Sequence, residues 1–202
     1  MITLSINEKE YHINNGYKEL SLGQYVDILK VGDSKINLDG NEAEIAIIAA
    51  LSDKPEELKV ALLDLTIEEF SELVSHFDWV KDVSILEEFK SMDTKKVLNI
   101  DDVEYGVMVD YNKMSLGEIV TFETLLKQEN SDFHRLELAF GVLLRPLVDG
   151  KIVKFSEEVF LEVVKNKYKV KVLDIYALIS FFLSGEKTST TKNTKRFSVR
   201  TQ

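Results

Sequence analysis

An internal repeat restricts the possible folds of this chain more than any other feature. Shifting the sequence by 94 positions aligns residues 6–30 with residues 100–124, and eight of the 25 aligned positions are identical. Ordinary residue usage would give about one or two identities. The identical pairs are Ile6/Ile100, Glu10/Glu104, Tyr11/Tyr105, Tyr17/Tyr111, Ser21/Ser115, Leu22/Leu116, Gly23/Gly117 and Val26/Val120. A repeat of this length predicts that the chain forms the same local structure twice.

Each copy of the repeat begins with the pattern of a β-hairpin. Residues 3–6 and 10–13 alternate on either side of a short polar turn in the first copy, and residues 97–100 and 104–109 do so in the second. Such alternation around a tight turn is typical of paired antiparallel strands. We therefore expect one hairpin at the start of each copy.

A capping box then predicts where the first helix of each copy begins. Ser21 and Ser115 are each followed three residues later by Gln or Glu. In such a capping box the Ser hydroxyl accepts from the backbone N–H of the Gln or Glu, whose side chain accepts from the backbone N–H of the Ser. Thr66 has the same pattern and predicts a third helix start. The apolar residues that flank the two serines are typical of hydrophobic staples, and they are Leu20 with Tyr25 and Met114 with Ile119.

The remaining periodic segments complete the expected fold. We expect helices at 22–31, 41–52, 56–63, 67–80, 86–92, 116–128, 132–144, 156–165 and 172–183, and a turn at Asp149-Gly150. The fold class is α+β and mainly helical, with two pseudo-repeats, each a β-hairpin followed by a small helical bundle, and an extended C-terminal tail. The expected divisions are 1–94, 95–184 and 185–202, with the charged stretch 90–96 as the only seam.

The charge is distributed unevenly along the chain. The whole chain carries a formal net charge of -10, but residues 185–202 hold five basic residues against Glu186, a net charge of +4, which leaves -14 on residues 1–184. A basic tail on an acidic body suggests a polyanion or an acidic surface of a neighbouring copy as its partner. The expected partner-binding residues are Lys187, Lys192, Lys195, Arg196, Phe197, Val199 and Arg200.

Candidate groups for catalysis or metal binding form no recognisable motif. The chain has no Cys, which excludes disulfides, thiolate metal sites and cysteine nucleophiles. His12, His76 and His134 lie in unrelated segments, and residues 37–48 lack the Gly and Glu that a calcium loop requires. Four of the five pairs of adjacent carboxylates lie at expected helix starts, where negative charge complements the helix dipole, and the pairs fit solvated faces. They are Glu56/Glu57, Glu68/Glu69, Glu87/Glu88, Asp101/Asp102 and Glu157/Glu158. We expect no enzyme activity, no metal and no cofactor.

The repeated tyrosines allow two interpretations, and composition weighs against two kinds of partner. Tyr11/Tyr105 and Tyr17/Tyr111 fit either a binding surface or packing of hairpin on helix.

An acidic body disfavours specific nucleic-acid binding. The apolar stretches are shorter than the roughly 20 residues of a membrane helix, and the N-terminus has no basic segment typical of a signal peptide.

Two segments in each copy resemble a known group of proteins. Residues Tyr17–Tyr25 with Ile45–Leu51, and Tyr111–Ile119 with Leu136–Pro146, combine a capped helix start with an apolar helix that ends near proline. This arrangement is similar to virion and tail-assembly-chaperone-like proteins of the Bacteroides-infecting, crAss-like tailed bacteriophages. The likeness covers about residues 1–184 and excludes the tail.

The resemblance implies a structural role in a virus particle. It points to a virion protein, made in the host bacterial cytoplasm, that forms an oligomeric ring in the head-to-tail connector or tail region. Its partners would be copies of itself and neighbouring connector or tail proteins, with a passive DNA channel, no specific nucleic-acid binding and no membrane. The alternative is a tail assembly chaperone that leaves before the particle is complete. Two other classes of function remain open, an enzyme and a simple module that binds a host factor.

Overall fold

The computed structural model describes residues 1–32, 40–81, 95–108, 114–128 and 132–176, and over these ranges the protein is α+β and mainly helical. The strands are β1 (Ile2–Ile6), β2 (Lys9–Ile13), β3 (Val97–Ile100), β4 (Val103–Val107), β5 (Leu144–Val148) and β6 (Lys151–Ile152). The α-helices are α1 (Leu22–Val31), α2 (Asn41–Ala50), α3 (Pro55–Ala61), α4 (Ile67–Ser75), α5 (Leu116–Gln128), α6 (Asp132–Leu143) and α7 (Glu157–Lys165). Short 3₁₀ helices cover Tyr17–Glu19, Leu62–Asp64, Asp78–Lys81 and Asn166–Lys169, and residues 172–176 are helical.

Both predicted hairpins form, with the same turn. Antiparallel pairing joins β1 to β2 and β3 to β4. The two turn residues of the first hairpin, Asn7 and Glu8, have φ of 50° and 63°, and those of the second, Asp101 and Asp102, have φ of 50° and 64°. Positive φ at both central residues matches the right-handed twist of the strands, and three of these four residues are Asn or Asp, which tolerate it best.

The three predicted capping boxes also form, so the helix starts are confirmed. At the start of α1, the Gln24 N–H donates to Ser21 Oγ at 3.1 Å and the Ser21 N–H donates to Gln24 Oε1 at 3.2 Å. The equivalent exchanges at the other two helix starts join Thr66 with Glu69 and Ser115 with Glu118. The staple residues Leu20, Tyr25 and Met114 are buried.

The second sheet has two strands that the sequence analysis did not predict. Its order is β3-β4-β5-β6, so β5 and β6 follow α6 where only a turn was expected. That turn is present, because Asp149 and Gly150 have φ of 52° and 71° and connect β5 to β6. Proline is rare inside strands, so Pro146 argued against a strand in the sequence. Its carbonyl accepts from the Val153 N–H at 3.0 Å, but proline has no N–H to donate in return. The pairing of β5 with β6 accordingly stops within two residues.

The first hairpin acquires only a trace of a third strand. Ile13 makes a single antiparallel bridge with Ser52, and the Asn14 N–H donates to the Leu51 carbonyl at 2.9 Å. The matching bond in the second sheet runs from the Met108 N–H to the Leu143 carbonyl at 2.8 Å. In both halves the chain therefore returns to the second strand of the hairpin, after α2 in the first half and after α6 in the second. After α6 it continues as the strand β5.

The two halves share one hydrophobic core. Buried side chains from both hairpins and from α1, α3, α4, α5 and α6 belong to a single cluster. The backbone also joins the halves, because the Leu22 N–H donates to the Val170 carbonyl and the Val172 N–H donates to the Leu20 carbonyl, both at 2.8 Å. The start of α1 is thus hydrogen-bonded to the segment that follows α7.

Several predicted helices are shorter than expected, and some lie outside the described residues. The helix expected at 67–80 ends at Ser75 and resumes as the 3₁₀ turn Asp78–Lys81, while the helix expected at 56–63 is α3 followed by Leu62–Asp64. The predicted helix 86–92, most of the seam 90–96, residues 177–183 and the tail 185–202 lie outside the described residues.

Candidate functional site

The seven residues predicted to bind a partner cannot be placed by the structure. They belong to the tail and lie outside the described residues, and they are Lys187, Lys192, Lys195, Arg196, Phe197, Val199 and Arg200. The candidate sites below are therefore built from the body of the protein alone.

The three histidines do not come together. His12 is exposed on β2 beside Thr3, His76 is exposed at the end of α4, and His134 lies on α6 with its Nδ1 3.8 Å from a carboxylate oxygen of Glu137. Within the described ranges, no group of three or more His, Asp or Glu side chains is arranged to hold a metal ion.

The most unusual buried group is Arg145 on β5, whose side chain is fully enclosed. Its Nε donates to the Val142 carbonyl at 2.8 Å, and its Nη1 donates to Glu118 Oε1 at 2.9 Å. The guanidinium carbon lies 4.9 Å from the ring centre of Phe155. Nη2 has no hydrogen-bond partner among the described residues. A buried charge needs such pairing, because leaving it unpaired in the interior is costly.

Glu118 joins three parts of the second half at one carboxylate. It closes the capping box of α5 through a 2.6 Å bond from the Ser115 N–H, and it also accepts from the Phe155 N–H at 3.3 Å. Partial burial works to raise its pKa, but the bonds from Arg145 and Ser115 outweigh burial and lower the pKa to about 2. Glu118 therefore remains ionised at neutral pH and is unsuited to carry a proton in catalysis.

An open groove lies beside this ion pair. It has a volume of about 670 Å³ and is lined by Met108, Met114, Ser115, Glu118 and residues 151–155. Its lining combines the apolar side chains of Met108, Met114 and Phe155 with the basic side chains of Lys151 and Lys154. Such a groove can receive a side chain of another protein.

The repeated tyrosines are packing residues at the one pair that the structure describes fully. Tyr11 and Tyr105 are both buried. The Tyr105 hydroxyl donates to Glu162 Oε1 at 2.9 Å and accepts from Asn166 Nδ2 at 3.2 Å. Burial, followed by the bond to Glu162, raises the pKa of Tyr105 to about 12. Tyr17 is half-buried, and Tyr111 lies outside the described residues.

The surface between α3 and α4 exposes an unusual amount of apolar area. Val60 is 67% exposed, Leu63 is 69% exposed and Ile67 is 85% exposed. Val60 and Leu63 are three residues apart in continuous helical backbone, so they share one face, while Ile67 is the first residue of α4. We call these three residues the apolar corner.

Carboxylates surround the apolar corner. Residues 55–75 contain six acidic side chains and one basic side chain, Lys59, a net charge of -5. All six acidic side chains are exposed, and they are Glu56, Glu57, Asp64, Glu68, Glu69 and Glu72. Glu57 pairs with Lys9 at 3.7 Å and Glu69 caps α4, whereas Glu56, Glu68 and Glu72 have no ion pair within the described residues.

Sequence reasoning missed both the buried arginine and the apolar corner. Arg145 directly precedes Pro146 in a segment taken as a helix end, so no pattern indicated that it would be enclosed. The corner had a visible indication, because residues 60–63 are four consecutive apolar residues, which in a helix point in all directions rather than along one stripe. Leu58, Ala61 and Leu62 are buried, so Val60 and Leu63 are the surplus that a one-sided helix would not carry.

Comparison of the chain with protein-family models, with characterised proteins and with solved structures finds no match. The described helices include none that is long and apolar enough to cross a membrane. The arguments that follow therefore rest on the residues of this chain.

Proposed function

We propose that this protein is a bacteriophage virion structural protein, an oligomeric ring component of the head-to-tail connector or tail region that acts through protein–protein assembly. The resemblance of residues 17–25 and 111–119 to proteins of crAss-like phages supplies the phage context. In this proposal the protein catalyses no reaction, needs no cofactor and is located in the virion.

The apolar corner is the observation that carries the assembly role. Large apolar side chains that are 67–85% exposed cost free energy in water, and grouped exposed apolar residues on a soluble protein mark contact sites. Burying a Leu or Ile side chain contributes about 1.5–3 kcal/mol, so a partner that covers Leu63 and Ile67 gains substantially.

We also propose that the two halves are pseudo-equivalent repeats. The matched hairpin turns, the matched capping boxes at Ser21 and Ser115, and the equivalent bonds from Asn14 and Met108 support this interpretation. A duplicated unit supplies two similar but non-identical faces. Such a pair of faces suits a ring, in which each subunit meets its two neighbours through different surfaces.

A tail assembly chaperone is the second candidate, and the same corner favours it. A chaperone binds partly folded proteins through exposed apolar surface, and it is released before the particle is complete. The two candidates differ in one property, which is whether the protein remains in the finished particle.

Mass spectrometry of purified particles tests this difference. We expect the protein in the copy number of a ring, as judged against a capsid or portal protein of known stoichiometry. Its absence from mature particles, together with its presence in assembly intermediates, would favour the chaperone. Its absence from both would exclude either role.

A surface variant tests whether the apolar corner is the contact. We expect that Leu63→Ser with Ile67→Ser removes the protein from particles, whereas Val148→Ser, which changes another exposed apolar residue, on β5, does not. Equal incorporation of both variants would separate the assembly role from this surface.

A further inference from the structure

We infer that the apolar corner is the docking site for the C-terminal tail of a neighbouring copy. This inference rests on the proposed function, since it names the partner of the surface assigned there to assembly. It adds which segment of the chain binds and in which direction the subunits connect.

Charge selects the tail as the occupant. The corner combines three exposed apolar side chains with six exposed carboxylates and a net charge of -5 over residues 55–75. The tail has the complementary composition, with a net charge of +4 over residues 185–202 and two apolar side chains, Phe197 and Val199. Complementary charge steers association and selects against wrong partners.

Charge also argues against the simplest alternative, which is contact between two corners. A symmetric pair would place Glu68 and Glu72 of one copy close to the same carboxylates of the other. Like charges that face each other across an interface cost free energy. Glu56, Glu68 and Glu72 have no ion pair among the described residues, so they remain available to a basic partner.

The spacing of the tail residues fits a small apolar surface. Residues two apart point to the same side of an extended chain, so a tail that binds extended presents Phe197 and Val199 together. Arg196 and Arg200 flank this pair in the sequence and carry positive charge that the exposed carboxylates of the corner can bind. Val60, Leu63 and Ile67 would supply the apolar surface for the two tail side chains.

The direction of this contact has a consequence for assembly. Each copy carries one corner and one tail, so the contact is head-to-tail rather than symmetric. Head-to-tail contacts close into a ring when the rotation between subunits permits, and they continue as a filament when it does not. The inferred contact is thus of the type that the proposed ring requires.

Two full-length variants that are defective on opposite sides test the inference. The corner variant carries Leu63→Ser and Ile67→Ser, and the tail variant carries Phe197→Ser and Val199→Ser. Light scattering coupled to size exclusion measures the mass of each variant, of their equimolar mixture and of the unmodified chain. Val148→Ser and a Thr188→Ser, Thr190→Ser chain serve as controls for exposed positions and for the tail.

The expected results are specific to exchange between copies. The unmodified chain and both controls form oligomers, and each defective variant alone is monomeric, with an apparent dissociation constant raised about tenfold or more. The mixture forms a one-to-one dimer and nothing larger, because only one intact tail and one intact corner meet. Raising the salt from about 50 mM to about 500 mM should dissociate the unmodified oligomer, since exposed charges are screened.

Three results would overturn the inference, and they differ from failure of the proposed function. Unchanged oligomers in either defective variant would show that the subunits associate elsewhere. A mixture that stays monomeric would show that no tail docks on another copy, and an unmodified chain that is monomeric throughout would do the same. The presence of the protein in purified particles is measured separately, so each of these results leaves the virion role to its own test.

Discussion

Replacing Arg145 by methionine should destabilise the protein by about 3 kcal/mol, because the substitution leaves Glu118 without its cation in a partly buried position. Methionine has a similar length and fills most of the space of the fully buried arginine side chain. The loss is therefore electrostatic rather than a cavity effect. It is moderated because Glu118 keeps its bonds from the Ser115 and Phe155 N–H groups, and because the unpartnered Nη2 of Arg145 is removed as well.

The first half of the protein shows how the pair can be replaced without this cost. At the equivalent helix start, neutral Gln24 completes the capping box and its Nε2 donates to the Leu51 carbonyl at 3.0 Å. Glu118→Gln alone should cost about 3 kcal/mol, because it leaves Arg145 buried without a counter-charge. Combining Glu118→Gln with Arg145→Met should cost no more than either single change, which gives a coupling free energy of about 3 kcal/mol.

The same pair sets an acid dependence with a definite sign. The pKa of Glu118 is lowered to about 2 in the folded protein from a usual value of 4.5. Its contribution to stability is therefore complete above about pH 4.5 and is lost as the pH falls toward 2. A shift of this size corresponds to about 3 kcal/mol. The free energy of unfolding should fall less steeply over this range in Arg145→Met, since that carboxylate then titrates closer to its usual value.

Urea unfolding followed by circular dichroism measures these quantities for the unmodified protein, both single variants and the double variant. The measurements are made near neutral pH and again at about pH 3. Single losses below about 1 kcal/mol, or a double variant that is as unstable as the sum of the singles, would refute the assignment of Arg145 and Glu118 as a coupled pair.

Two further substitutions test packing and a buried phenol. A Cβ at Gly23 would overlap the ring of Tyr168, whereas nothing lies within 4 Å of a Cβ at Gly117, its counterpart in the repeat. Gly23→Ala should therefore cost about 1–3 kcal/mol in thermal or urea unfolding, and Gly117→Ala should be neutral or stabilising; equal effects would contradict this difference. Tyr105→Phe should cost about 1 kcal/mol through loss of the bond to Glu162, and ultraviolet titration of the unmodified protein should contain a phenol of pKa about 12 that is missing from this variant.

The contrast between Gly23 and Gly117 shows where sequence similarity stops being informative. Both glycines occupy the second position of a capped helix, and the repeat predicted equivalent roles for them. The structure separates them, because the 3₁₀ turn Asn166–Lys169 folds back on α1 and places Tyr168 over Gly23. Nothing in residues 20–26 indicates a neighbour that is about 140 positions away in the chain.

His12 and Gly106 show a similar divergence. They are equivalent positions on β2 and β4, since the 94-residue shift aligns residue 12 with residue 106. In the second sheet β5 and β6 cover this face, so that a Cβ at Gly106 would lie 3.0 Å from Leu147 and Ile152 side-chain atoms. Among the described residues the first hairpin forms a two-stranded sheet, and His12 is exposed there. The pairing of β5 with β4 therefore leaves little room for a side chain at position 106, whereas position 12 accommodates His.

The sequence by itself determined the local elements of this protein. Both hairpins, their turns and three helix starts follow from pairing between residues no more than 11 positions apart, for which residue type and spacing are a good guide. The tertiary structure decided the rest: the strands β5 and β6, the burial of Arg145 against Glu118, and the exposure of Val60, Leu63 and Ile67. Those features depend on which surfaces remain after distant segments have packed, because burial is a property of the assembled chain and not of any one segment.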